Sequence, residues 1–147
     1  MALLITDAEL LAMGIASDAL ASIALSVRDI ARASASGLAL SQVKKRHLLP
    51  LIQWGDDLKR AVVHIAAYDL LTTRGFNPQA GADVAIRDRY LAALSWLKSV
   101  AKGEAELTDV IDSSPTVHER GPLVSTSSGG PLWPNYGTPL KKKATFL

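Results

Sequence analysis

The sequence predicts an all-α fold: a small bundle of four to five helices with a long extended C-terminal arm and room for one short strand. Ala and Leu carry the hydrophobicity and only 5% of residues are aromatic, a composition that favours helices over sheets. Apolar residues recur at three- and four-residue spacing over most of the first 103 residues. From Ser113 onward the periodicity is lost, and five of the seven prolines occur there.

The first helix is predicted to follow Thr6. Thr6 and Glu9 have the spacing of a capping box, in which each side chain binds the backbone of the other residue. We expect this short helix to end at Gly14 in the left-handed conformation that glycine adopts readily.

A second helix is predicted from Ser17 or Asp18, either of which suits an N-cap. Its buried stripe is predicted from apolar residues at helical spacing, which are Leu20, Ile23, Ala24, Val27, Ile30 and Ala31. Arg28 and Arg32 are expected on the opposite, polar side. We expect the helix to fade in the Ala-Ser-Ala-Ser-Gly stretch at 33–37.

Residues 38–55 break the helical pattern. Pro50 prevents a continuous helix there, so we expect one or two helical turns followed by an irregular crossing. The apolar residues of this crossing are expected to be partly buried, and they are Leu48, Leu49, Leu51 and Ile52.

Two longer helices follow and form a predicted antiparallel pair, because only a short loop separates them. The third helix begins at Gly55 and is apolar on most of its circumference, which predicts a central helix or one that faces a second subunit. Asp83 is expected to cap the fourth helix, and Gly103 is expected to end it.

The predicted domains are a helical domain at 1–103 and an extended C-terminal arm at 104–147, with residues 106–111 as the one candidate strand. The arm has neither the helical nor the strand periodicity of apolar residues, and it should not bury enough surface to fold alone. It nevertheless carries apolar anchors, unlike a flexible spacer, and these are Trp133, Tyr136, Phe146 and Leu147. We interpret it as a partner-binding arm; the alternative is a tail with incidental aromatics.

The sequence offers no recognisable catalytic, metal or cofactor site. There is no cysteine, which removes thiolate catalysis and Cys-based metal sites. The histidines are spread over three regions, at His47, His64 and His118, where solvated or structural roles are expected. Asp56 and Asp57 precede an apolar run, which is typical of helix N-termini and not of an acid and base pair. An enzyme of unrecognised class is kept as an alternative that these absences disfavour.

Some residues are candidates for macromolecular contacts. Lys44, Lys45 and Arg46 suit contacts with DNA phosphates or, alternatively, form a solvated loop. Trp96 lies off the main stripe near Arg89, which suggests a subunit contact or, equally, a Trp that covers the edge of the domain.

Asp69 is out of place on the apolar side of the third helix. It either pairs with Arg87 or Arg89 across the helix pair, or the helix is rotated so that Asp69 reaches water. A catalytic role is the third and weakest interpretation.

No membrane association is expected. No stretch approaches the roughly 20 apolar residues that a membrane span requires, and the first residues lack the basic and apolar regions of a signal peptide. We therefore expect a soluble protein that is not exported. The absence of cysteine fits synthesis in a reducing cytoplasm.

The two long helices also carry a family resemblance. Residues 57–68 begin Asp-Leu-Lys-Arg and end Ala-Ala-Tyr, and residues 86–107 contain Arg-Tyr, then Trp-Leu-Lys, then Ala-Lys-Gly and Leu107. With the Thr-Asp-Ala-Glu-Leu opening at 6–10, this order resembles the Mu-like phage family of small head–tail connector proteins, also called adaptor or head-completion proteins. The segment Leu48–Leu51 matches the family's Leu-Pro-Leu element without its tyrosine, and the arm from Ser113 has no counterpart.

The resemblance implies a structural subunit of a dodecameric ring below the portal protein, at the head–tail junction of the virion. The implied partners are the portal protein, neighbouring copies, the next connector or tail protein, and genome DNA that passes through the channel without sequence specificity. Neither catalysis nor a cofactor is implied. The alternative is a DNA-binding packaging accessory protein that uses Lys44, Lys45 and Arg46.

Overall fold

The computed structural model describes residues 3–77 and 79–114. They contain five helices, which are α1 (Asp7–Met13), α2 (Ser17–Leu20), α3 (Leu25–Val43), α4 (Asp56–Arg74) and α5 (Gly81–Lys102). In this part of the chain the only β-type pairing is an isolated antiparallel bridge between Gln53 and Ile111. The prediction of an all-α bundle is therefore confirmed for the described residues. None of these helices is both long and apolar enough to cross a membrane.

Helix α4 is the central helix of the bundle, as its apolar circumference predicted. It packs against α1, α3 and α5. Its buried residues point in several directions and include Leu58, Val62, Val63, Ile65, Ala66, Leu70 and Leu71. Because α4 is covered on most sides, its burial contributes the largest share of the apolar core.

Helix α1 begins as predicted. The Thr6 hydroxyl accepts a hydrogen bond from the Glu9 amide (3.2 Å), and the Glu9 carboxylate accepts one from the Thr6 amide (2.7 Å). Gly14 ends the helix, but the predicted left-handed conformation is wrong, since its φ is −102°. Glycine is needed there for space: a Cβ would lie 2.7 Å from the Leu10 carbonyl oxygen and 3.0 Å from Val63 Cγ1.

The predicted second helix is wrong in length, and its buried stripe is confirmed at Leu20, Ile23, Val27 and Ala31 but wrong at Ala24 and Ile30. The chain makes the short α2, turns, and restarts as α3, which continues through 33–37 to Val43. Ala24 precedes the first residue of α3 and has an extended backbone (ψ 145°). The predicted apolar stripe, which includes Ala24, therefore does not lie on one continuous helix. Ile30, which was expected to be buried, is 68% exposed, whereas Arg32 is only 9% exposed.

The buried stripe of α3 consists mainly of small residues, namely Ala31, Ala35, Ser36 and Ala39. Its polar members hold the N-terminal segment: Ser36 Oγ accepts from the Leu4 amide (3.1 Å). Arg32 donates to the Ile5 carbonyl oxygen and pairs with Asp29. These bonds explain why two polar side chains occupy positions that hydropathy assigns to apolar ones.

Helix α5 begins at Gly81, two residues before the predicted cap. Asp83 lies in the first turn and is buried. Its carboxylate accepts from the Asn77 amide (3.0 Å) and from Arg74 (2.8 Å). Asp83 therefore fastens the α4–α5 loop. Gly103 ends α5 in the left-handed conformation (φ 82°), as predicted.

Candidate partner-docking site

Two irregular segments on either side of the α4–α5 pair are joined to each other. We name residues 44–55 the crossing segment. Residues 104–114, the first part of the predicted arm, are named the exit segment. The Ile111 carbonyl oxygen accepts from the amides of Ile52 (2.7 Å) and Gln53 (3.1 Å), and the Ile111 amide donates to the Gln53 carbonyl oxygen (3.0 Å). The Ser113 amide approaches the Leu48 carbonyl oxygen at 3.5 Å.

Asp57 attaches the exit segment to the start of α4. Its carboxylate accepts from the Thr108 amide and from the Leu58 amide, both at 2.8 Å. The chains meet closely here, since a Cβ on Gly55 would lie 2.5 Å from the Thr108 carbonyl oxygen. The position of Asp57 in the first turn of α4 was predicted, whereas its bond to a residue 51 positions away was not.

Asp112 attaches the end of the exit segment to the crossing segment. Its carboxylate accepts from the amides of Ser114 (2.9 Å) and Leu48 (3.1 Å), and His47 Nδ1 lies 3.6 Å from it. Hydrogen bonds from Ser114, and then from the Leu48 amide, lower the pKa of Asp112 to about 2, because they stabilise the ionised form. Asp112 therefore fixes the position of the exit segment up to Ser114.

The joined segments expose apolar side chains. We name as the docking patch the set Leu48, Leu49, Ile52 and Ile111, of which Ile52 is 67% and Leu48 is 56% exposed. The expectation that the crossing residues are partly buried is therefore wrong for Leu48, Leu49 and Ile52. Only Leu51 is buried, because the backbone is bound to the exit segment and turns the neighbouring side chains outward. Exposed apolar residues grouped in this way are typical of interaction sites.

The structure separates the three residues of the basic cluster. Lys44 and Lys45 are exposed, and Lys45 donates to Gln42 Oε1 (2.9 Å). The guanidinium of Arg46 lies over Gly103, where a Cβ would be 2.5 Å from its Nη2 atom. The negative C-terminal end of the α5 dipole stabilises a cation at this place. The contact of Lys44, Lys45 and Arg46 with DNA stays a prediction, and all three residues are exposed.

Trp96 and Arg89 line different grooves. Trp96 is half-buried in an open groove between α4 and α5, beside His64 and Asp57. Arg89 is exposed at the rim of a second groove, at the other end of α5. Burial lowers the pKa of His64, and the charge of Arg89 adds to the effect. The predicted subunit contact through Trp96 and Arg89 stays a prediction.

Asp69 is half-buried and forms no ion pair with either predicted partner. Arg87 pairs with Asp88 instead (3.1 Å). The ion-pair interpretation is therefore wrong, and partial contact with water is what the structure shows. Burial raises the pKa of the Asp69 carboxyl.

The predicted arm anchors Trp133, Tyr136, Phe146 and Leu147 lie outside the described residues, as does His118. Within the described residues no group of three His, Asp or Glu side chains is arranged to hold a metal ion. The domain boundary at 103/104 stays a prediction. What the structure adds is that the exit segment, although it follows this boundary, is bonded to the helical unit.

The residues that carry the family resemblance hold this framework together. Tyr68 of α4 and Tyr90 of α5 stack with ring centroids 4.3 Å apart. Leu97 is fully buried, and Leu107 packs partly buried against the core. These residues therefore fix the α4–α5 pair and lead into the exit segment, which explains why their order and spacing form a pattern.

Comparison with known proteins identifies the family of the chain. The family described as "Bacteriophage Mu, Gp36" matches residues 3–125. This range contains all five helices and the whole exit segment. It also extends to residue 125, so the expectation that the arm from Ser113 has no counterpart in the family is wrong for residues 113–125. No curated protein and no solved structure matches the chain. With most of its length matched, the chain belongs to the bacteriophage Mu Gp36 family.

Proposed function

We propose that this phage protein is a structural subunit of a head–tail connector ring, with no catalytic role. The observation that carries the proposal is the family match across the helical unit and the exit segment, residues 3–125. In this proposal the subunit lies below the portal in the virion, extends the DNA channel, and carries the next connector or tail protein. Neighbouring copies form the ring, which we expect to be dodecameric.

The docking patch supports a role in assembly. It places four apolar side chains on two segments whose backbones are already bonded to each other. The apolar surface of such a patch is favourable to bury, and the fixed backbone limits the entropy lost on binding. The patch thus suits a contact with the portal or with a neighbouring subunit.

The exit segment supports a role for the arm that follows it. Asp57 and Asp112 fix the position of the exit segment through Ser114. An arm that starts from a fixed point reaches its target with a higher effective concentration than one on a mobile start. In a ring, several such arms bind together, and an extended arm can add backbone hydrogen bonds to a partner in the manner of an additional strand.

Deletion of residues 115–147 tests the proposal. The cut retains the exit segment with its bonds to the crossing segment, so we expect a folded helical unit. The truncated protein should fail to attach to portal-bearing heads in an infection that lacks the full-length protein. The full-length variant with Trp133→Ala and Tyr136→Ala is the matched comparison, because it loses these two aromatic anchors and keeps the rest of the arm. Head completion by the truncated protein at the full-length level contradicts the binding arm.

A DNA-binding packaging accessory is the second candidate, supported by the exposure of Lys44 and Lys45 at the end of α3. Two phosphate contacts predict a slope of about −2 for the logarithm of duplex affinity against the logarithm of salt concentration. The variant Lys44→Gln, Lys45→Gln should flatten this slope. Lys98→Gln, Lys102→Gln changes the same charge on exposed positions of α5 and should not. A slope near zero for the unchanged protein rejects this candidate.

A further inference from the structure

The groove at the other end of the α4–α5 pair is an apolar cavity that the proposed function does not use. Its volume is about 280 Å³, and it lies between the turn after α1, the end of α4 and the start of α5. The residues that form its apolar wall include Ile15, Leu20, Ile23, Leu71 and Ile86. We name it the end groove. Its wall is apolar enough to bind an uncharged segment and too apolar for a charged one.

Two arginines lie at the rim of the end groove. Arg74 is bound to the buried Asp83 at 2.8 Å, so its charge is compensated. Arg89 is exposed and forms no ion pair with any of the residues that the structure describes. An exposed guanidinium beside an apolar wall is suited to stack on an aromatic ring, whose face attracts a cation.

The arm of this chain contains a segment with the matching chemistry. Residues 131–136 read Pro-Leu-Trp-Pro-Asn-Tyr, and residues 121–140 include no charged residue. Two prolines restrict the backbone of this segment before binding, which lowers the entropy cost of ordering it. Trp133 and Tyr136 supply aromatic rings for the apolar wall and for Arg89.

We propose that the end groove of one copy binds the segment Leu132–Tyr136 of an adjacent copy. This inference rests on the proposed function, since it requires copies that assemble side by side. It deepens that function by assigning the arm a site on the neighbouring subunit. The apolar wall receives Leu132 and Trp133, and Arg89 contacts the aromatic rings.

The length of the arm permits this contact. The exit segment lies at the C-terminal end of α5, and the end groove lies at the N-terminal end. A helix of 22 residues is about 33 Å long at 1.5 Å per residue. The 17 residues between Ser114 and Leu132 span up to about 60 Å when extended, which exceeds the length of α5 and so allows the segment to extend to the level of an end groove.

Disulfide trapping tests the contact cleanly because the chain has no cysteine. Full-length Ala85→Cys, at an exposed position of the end groove, is mixed with a differently tagged full-length Asn135→Cys. Under mild oxidation we expect a disulfide that joins the two differently tagged chains. Ser95→Cys, exposed on the same helix but outside the groove, is the matched control. It should react at least about tenfold more slowly, because only a docked segment has a raised effective concentration.

A second comparison separates docking from chance collision. Adding Trp133→Ala to the Asn135→Cys chain should slow trapping at Ala85→Cys about tenfold, since the aromatic anchor is lost. Trp133→Phe should retain most of it. Equal trapping at positions 85 and 95 overturns the inference, as does the absence of trapping. A disulfide that forms only within a doubly substituted chain, and not in the mixture, overturns the assignment to an adjacent copy.

These results are distinguishable from failure of the proposed function. A ring that assembles on portal-bearing heads without the specific disulfide rejects the end groove as the site and leaves the connector role intact. A chain that neither attaches to portal-bearing heads nor assembles into a ring there rejects the connector role and the inter-copy contact together.

Discussion

The α4–α5 pair and the two joined segments beside it are stabilised in opposite ways. The helix pair buries apolar side chains, such as Leu70 and Leu97, that have no exposed surface. The crossing and exit segments are joined by backbone hydrogen bonds and by the carboxylates of Asp57 and Asp112, while the four apolar side chains of the docking patch are exposed. The first region uses its apolar surface to fold, and the second retains apolar surface for a partner.

This difference separates stability from docking within one small unit. Substitutions in the helix pair remove burial and should lower the free energy of unfolding by several kcal/mol. Substitutions in the docking patch remove little burial and should affect assembly instead. Residues at the junction of the two regions should have intermediate effects on stability.

The largest loss of stability is expected from a substitution in the helix pair. Leu97→Ala removes a fully buried side chain of α5 and should lower the free energy of unfolding by about 2–5 kcal/mol, because a cavity adds to the lost transfer energy. Leu91→Ala on the same helix is the control, since Leu91 is 53% exposed. Urea unfolding measures both. Equal losses for the two leucines contradict the assignment of the core.

The next largest loss is expected at Gly103, where the helix pair meets the exit segment. Gly103→Ala should cost about 1–2 kcal/mol, the price of the left-handed conformation for a residue with a Cβ. Arg46 must also move away from the new methyl group. Gly81→Ala is the control, because a Cβ there contacts nothing within 4 Å and alanine favours a helix. Thermal unfolding should separate the two, and a neutral Gly103→Ala would show that the end of α5 adjusts freely.

The helix pair was predictable from sequence, whereas the joined segments were not. The apolar circumference of α4 and the Thr6–Glu9 box are local patterns, and both were confirmed. The burial of Arg32 was missed because the residue was assigned to solvent by its charge, although it donates to the Ile5 carbonyl oxygen and pairs with Asp29 within the fold.

The exit segment was missed for a different reason. The contact from Asp57 to Thr108 joins residues that are 51 positions apart, and no periodicity reports such a contact. The local signals for this contact were Gly55 and Asp57. Both residues are explained equally well by the start of α4. The outward direction of Ile52 depends on the same pairing, so the docking patch was also beyond the sequence.

An intermediate loss is expected from the carboxylate that joins the two regions. Asp57→Ala removes the acceptor for the Thr108 and Leu58 amides and should cost about 1–2 kcal/mol. Asp56→Ala is the control, because the Asp56 side chain is 86% exposed and lies 3.9 Å from Lys59. Hydrogen exchange at 108–111 should accelerate for Asp57→Ala alone. Unchanged exchange would mean that the Ile111 bonds hold the exit segment without Asp57.

A smaller effect is expected from acid at Asp112. The pKa of this carboxyl is about 2 in the folded protein, below its value of 3.8 in a model compound, so its ionised form stabilises the fold. That contribution is complete above pH 4 and is lost as the pH falls from about 4 to about 2. Hydrogen exchange of the Leu48 and Ser114 amides, corrected for intrinsic rates, should therefore accelerate over this range. Asp112→Asn should remove the pH dependence at these two amides, and a persistent dependence would place its origin in another carboxyl.

The smallest effect on stability, combined with a large effect on assembly, is expected in the docking patch. Ile52→Ser with Ile111→Ser removes two exposed side chains and should change the free energy of unfolding by no more than about 0.5 kcal/mol per site. Attachment to portal-bearing heads should nevertheless be lost, because the patch no longer offers apolar surface to bury. Ile30→Ser is the control, since Ile30 is equally exposed at 68% but lies on α3, away from the joined segments. If Ile30→Ser abolishes attachment and the double variant does not, then the outer face of α3 is the contact surface, and the contrast between a region that folds and a region that docks must be redrawn around that helix.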